Sequence, residues 1–150
     1  MNKADAIARL IAPPLNFERR TAAAYVSAKG RCEYCDTPVI FDRRYYASAQ
    51  IDHLLTRSIF PASVTSLENN FALSCGLCNS LKRNYVPSTV SELDRHDVAA
   101  LAQHLESDAR KQLISECRAF INDKRKEADK AWHAARCVFC ELDRDEALHG

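Results

Sequence analysis

Two cysteine pairs constrain this 150-residue chain more than any other feature. Cys32-Glu33-Tyr34-Cys35 and Cys75-Gly76-Leu77-Cys78 are separated by the 39 residues from Asp36 to Ser74. Tetrahedral zinc takes four soft ligands, each sulfur at about 2.3 Å. One Cys-x-x-Cys turn brings two thiolates onto that arc without strain, and a second turn completes the site. The gap is longer than a compact zinc ribbon needs, so a substantial insertion lies between the pairs. A four-thiolate site is coordinatively closed. It staples a fold, and any chemistry has to come from the insertion. Four unrelated buried thiols are the competing reading, which paired spacing in a reducing compartment disfavours.

The compartment is inferred from what the chain lacks. No apolar run approaches the ~20 residues needed to cross a bilayer. The first residues do not form a signal peptide, because Asp5 and Arg9 interrupt them and Pro13-Pro14 ends them. A cytoplasmic location is therefore expected, with the seven cysteines as thiols or metal ligands rather than disulfides. Hydrophobic residues at 47% and charged residues at 27% argue against wholesale disorder. A net charge of +1 counts mildly against a nucleic-acid binder, although only local charge is required.

Three regions are expected. Residues 1–30 read as two helices, one over Ala4–Ala12 and one over Glu18–Lys29, the second capped by Gly30. Residues 31–86 hold the core. The β-formers Val39, Ile40, Phe41, Tyr45, Tyr46 and Ile51 predict two short strands before His53, and Leu54–Asn69 reads as a long surface loop. A short helix is expected near Asn79. Residues 87–150 read as helical, with Ser91 or Asp94 as a cap and a long helix from Asp108 to Phe139. Its apolar stripe predicts packing on the N-terminal helices or on a second copy, with Trp132 as the anchor. A third pair, Cys137 and Cys140, could join His133 and His149 on a metal, but two small residues at a helix end are the better reading.

The insertion carries Asp52-His53, then Asn70; Asn79 follows Cys78 directly, and Lys82 comes three residues later. This order resembles the zinc-containing HNH endonucleases over about Gly30 to Asn84. The resemblance implies an α+β fold: a ββα-metal core stapled by a four-Cys zinc site, flanked by N-terminal helices and a long C-terminal helix. It implies Asp52 as a ligand of a catalytic cation, His53 as general base, Asn70 as the residue that orients the base loop, and Asn79 in a position where the family uses His or Asn. Hydrolysis of a phosphodiester needs an activated water and stabilised charge on phosphate and leaving group. A neutral imidazole takes a proton near pH 7, and Asp52 and Asn79 offer hard oxygens suited to Mg²⁺ or Mn²⁺. Arg57, Lys82 and Arg83 then become phosphate-contact candidates. The stretch after His53 departs from the family in having no glycine.

The expected activity is thus metal-dependent cleavage of DNA with low sequence specificity, since neither flank carries a known DNA-reading motif. No residue separates DNA from RNA. A homodimer through the C-terminal helix would present two sites to one duplex. The alternative is a non-catalytic zinc module that binds nucleic acid or protein. It would keep the four cysteines and have no need of Asp52, His53 and Asn79.

Overall fold

The computed structural model describes the backbone of residues 1–149 and the side chains of residues 1–140. Helix α1 (Lys3–Ile11) starts where the Asn2 side chain accepts from Asp5 N at 2.9 Å. Helix α2 (Arg19–Ser27) buries Ala22, Ala23, Ala24 and Tyr25. Its small residues allow close approach to the sheet, and the chain leaves it through Gly30 at φ +68°. Glycine is required there twice over: a Cβ would also lie 2.3 Å from Ile40 Cγ2.

The sheet has two antiparallel strands, β1 (Gln50–His53) and β2 (Phe71–Ser74), with Asp52 opposite Ala72 and His53 opposite Phe71. The strand expected among Val39–Tyr46 does not form. Asp42 accepts from Arg44 N at 2.8 Å and caps α3 (Arg43–Ser48), which draws Tyr45 and Tyr46 into a helix. The partner of β1 comes instead from beyond the loop. That loop is less exposed than its polar composition suggests. Leu54, Leu55, Phe60 and Val64 are buried in it, and α4 (Ala62–Thr65) and a 3₁₀ turn (Glu68–Asn70) order it. Helix α5 (Gly76–Lys82) follows β2 after one residue, Cys75.

Beyond Pro87 come α6 (Ser88–Ser91), α7 (Val98–His104) and α8 (Ser107–His149). Asp97, rather than Ser91 or Asp94, caps α7 by accepting from Ala100 N at 3.0 Å. Leu101, Leu105, Leu113, Cys117 and Ile121 join Tyr25, Leu54, Leu73 and Val90 in one hydrophobic cluster, so both flanks share the core of the central region. Residues 113, 117 and 121 recur every four positions and give α8 a narrow buried stripe.

That stripe stops near Ile121. Trp132 is 56% exposed, and its ring meets only His133 and Arg136 of its own helix among the described residues. Of the two packing partners expected for Trp132, the N-terminal helices are therefore corrected, and the second copy stays an expectation. Lys124-Arg125-Lys126 ends the apolar face, and the helix runs on into solvent. Among the described residues no helix is long and apolar enough to cross a membrane.

The two halves of α8 should respond differently to truncation of a side chain. Leu113→Ala, in the buried stripe, is expected to lower unfolding free energy by about 2–5 kcal/mol. Trp132→Ala is expected to change it by less than about 0.5 kcal/mol. Urea titration of both variants checks this, and equal losses would contradict the packing.

Candidate functional site

The Sγ atoms of Cys32, Cys35, Cys75 and Cys78 all lie within 4.8 Å of one another. Sulfurs at the corners of a zinc tetrahedron sit about 3.8 Å apart, given 2.3 Å bonds, and Cys35 and Cys75 stand at 3.7 Å. The cluster can hold a metal ion such as zinc. Cys75 doubles as the N-cap of α5, accepting from Cys78 N at 3.5 Å. Hydrogen bonding to Cys32 first, then to Cys75 and Cys78, holds the Cys35 thiol well below its ordinary range, while the same mutual contacts push Cys75 and Cys78 up.

Residues far along the chain grip this knuckle. Glu33 N donates to Leu73 O at 2.8 Å, which covers the outer edge of β2. Arg110 of α8 pairs with the Glu33 carboxylate at 2.8 and 3.2 Å, and its Nη2 also donates to Phe71 O at 2.8 Å. Arg118 donates to Glu33 O at 2.7 Å. Arg125 donates to Cys78 Sγ at 3.3 Å, and its Nε is buried without a partner among the described residues. A zinc tetrathiolate carries a formal double negative charge, and Arg125 places a guanidinium beside it. Spacing along the sequence could not reveal these contacts, because the three arginines lie outside the motif.

Asp52 and His53 end β1. Regular pairing sends their side chains to opposite faces. Asp52 turns toward α5, where Tyr34 Oη donates to its Oδ2 at 2.5 Å and Lys82 Nζ sits 3.1 Å from the same oxygen. The Asp52 side chain is 11% exposed. Among the described residues Oδ1 has no protein partner, and it is not among the fully buried unpaired atoms. Lys82 is 1% exposed and also donates to His53 O at 2.8 Å. Its expected role as a phosphate contact is corrected on that ground: the ammonium is spent on Asp52 and on the backbone. Arg57 and Arg83 do stay at the surface.

His53 packs edge-on against Phe71, with ring centroids 5.0 Å apart. The Arg20 guanidinium of α2 lies over the Phe71 ring, 5.8 Å from its centroid. Burial lowers the His53 pKa from 6.5; Asp52 works against this, while Arg57 and Lys82 reinforce it. The neutral imidazole is favoured as a result.

Asn70 is fully buried. Its Oδ1 accepts from Leu55 N at 2.7 Å, and its Nδ2 donates to Leu55 O at 3.0 Å and Thr65 O at 3.1 Å. It thereby closes the loop that leaves His53. Asn79, one turn into α5, gives its Nδ2 to Gln50 Oε1 at 2.5 Å. Gln50 and Asp52 are two apart on one strand face, and Asn79 and Lys82 are three apart on one helix face. Asp52 and Asn79 therefore border the same crossing of β1 and α5. The sequence reading missed Tyr34 and Gln50: the first looks like filler between two cysteines, and the second like a surface residue.

Cys137 and Cys140 are exposed on α8. Among the described residues the four-Cys cluster is the sole gathering of three or more His, Cys, Asp or Glu ligands, and the His149 side chain lies outside those described. No family model, curated protein or solved structure matches the chain.

Metal analysis of the purified chain should give one tightly held zinc, not two. Cys75→Ser is expected to lose it and to unfold the core, because zinc binding free energy is folding free energy in so small a unit. Arg125→Met is expected to keep the zinc but release it faster to a chromogenic chelator. Wild-type release kinetics in Arg125→Met would show that the guanidinium does not stabilise the cluster.

Proposed function

We propose that this chain is a metal-dependent endonuclease of the HNH type that hydrolyses DNA phosphodiester bonds. One observation carries the reading. At the β1–α5 crossing, the carboxylate of Asp52 and the amide of Asn79 each have one polar atom tied to protein and one oxygen left open, and the residue after Asp52, His53, is a histidine whose neutral form burial favours. The succession of β1, β2 and α5, with one cysteine pair ahead of β1 and the other where β2 meets α5, is compatible with a ββα-metal core.

The residues divide the work. Asp52 and Asn79 would hold a Mg²⁺ or Mn²⁺ ion, which supplies charge stabilisation for the phosphate and the departing 3′ oxygen. His53 takes the proton of the attacking water. Asp52 and His53 leave β1 on opposite sides, so the scissile phosphate has to lie along the outer edge of that strand, within reach of both. Asn70 keeps the loop after His53 closed, and Lys82 holds the His53 carbonyl. Arg57, Arg83 and Arg20 are the exposed cations placed to meet neighbouring phosphates. Products with 5′-phosphate and 3′-hydroxyl ends are expected.

The buried Asp52–Lys82 pair also suits a non-catalytic zinc module, in which both residues serve the fold alone. Cleavage of supercoiled plasmid separates the two readings. His53→Ala is expected to cut about 10²–10⁴-fold more slowly than wild type while keeping its zinc and its affinity for DNA. Zinc-loaded His53→Ala that cuts at the wild-type rate would sink the nuclease reading.

The acid side of the pH profile gives a second test. Because burial depresses the His53 pKa, the base form is present above the depressed value and lost as pH falls through it. The midpoint of the acid limb should therefore fall below 6.5. A midpoint above 6.5 would point to a different base.

A further inference from the structure

Resting on the reading of Asp52 and Asn79 as cation ligands, we propose that Tyr34 and Gln50 are positioning residues that aim those two oxygens. Neither residue belongs to the constellation that suggested the activity. A carboxylate or amide that binds a cation through one atom needs its other polar atom held, or the side chain turns and the ligand is lost. Both halves of the site meet that need here, by different means.

On Asp52, the Tyr34 hydroxyl and the Lys82 ammonium converge on the same oxygen, Oδ2. Two donors on one oxygen fix the plane of the carboxylate and leave Oδ1 facing out. Tyr34 is buried beneath the sheet, within the first cysteine knuckle. The staple therefore also sets the position of the hydroxyl that orients the ligand. On Asn79, the difficulty is different. An amide has a donor end and an acceptor end of nearly equal shape, and only the acceptor end can bind a cation. Gln50 Oε1 takes the donor end, Nδ2. That pairing engages the Asn79 donor end and leaves its oxygen without a protein partner among the described residues.

The charge balance sets how the test must be done. Asp52 and Lys82 cancel, so the crossing has little net charge until a phosphate adds its own. Mn²⁺ binding should accordingly be followed with DNA in place. The zinc-loaded His53→Ala chain, bound to a DNA duplex it does not cut, is titrated with Mn²⁺ and read by electron paramagnetic resonance. Tyr34→Phe and Gln50→Leu, each added to that parent, should weaken Mn²⁺ binding by about 10–100-fold. Zinc content and metal-free DNA affinity should not change. Gln50→Glu, which keeps an acceptor toward Asn79, should bind at least as tightly as the parent.

Parent-like Mn²⁺ binding in both Tyr34→Phe and Gln50→Leu overturns the proposal. Gln50 is exposed, so its variants fold even where loss of the buried Tyr34 hydroxyl does not permit it. Adding Asp52→Asn to the parent, which keeps an acceptor toward Tyr34 and Lys82, with retained zinc as the check that the core still folds, keeps the two levels apart. If that change leaves Mn²⁺ binding intact, the cation site itself fails and the positioning roles fail with it. If it abolishes binding while Tyr34→Phe and Gln50→Leu do not, only the positioning roles fall.

Discussion

The four-thiol cluster is the constraint on which the other contacts depend. It joins two turns that stand 40 residues apart from Cys35 to Cys75, and it does so at the point where β2 gives way to α5. A two-stranded sheet is marginal alone in water. Here one strand end, the helix start and the Tyr34 hydroxyl are referred to a single point. The position of Asp52 follows, because Tyr34 reaches it from inside the knuckle. The pairing of Glu33 with Leu73 follows as well, since Glu33 lies between the two cysteines.

A second constraint is the buried ammonium of Lys82. Desolvating a charge costs several kcal/mol, and a buried ion pair seldom adds net stability compared with apolar packing. What it contributes is a fixed geometry. The same three-donor group holds the Asp52 carboxylate and the His53 carbonyl, so the two adjacent residues cannot shift relative to α5 independently. Removing either charge would leave the other stranded, at a cost of about 3–5 kcal/mol.

Much of the site was legible because its signals are local. Ligand valence and the Cys-x-x-Cys spacing lead directly to the thiol cluster, and Gly30 and the prolines mark the helix ends well. Other features depend on register or distance. Tyr45 and Tyr46 have strand propensity, but a capped turn at Asp42 outweighs it. The loop after His53 looks polar by count, yet four apolar side chains carry it into the core. Lys82 reads as a solvated base, since its partner lies 30 positions earlier and nothing in between announces the pairing. Gln50 acquires a role only once β1 and α5 cross. Arg110, Arg118 and Arg125 share one helix face, but the knuckle they serve is too distant for periodicity to suggest it.

The arginine strap has a consequence for how such a chain is made. Arg110 and Arg118 meet Glu33 across 77 and 85 residues. At the usual ribosomal pace of roughly 5–20 residues per second, the knuckle waits about 4–17 s for them. During that interval both cysteine pairs emerge and can take up metal, while the outer side of the knuckle still lacks its cover. A metal ion such as zinc, which the four thiols can hold, could thus be captured before α8 exists to shield the cluster.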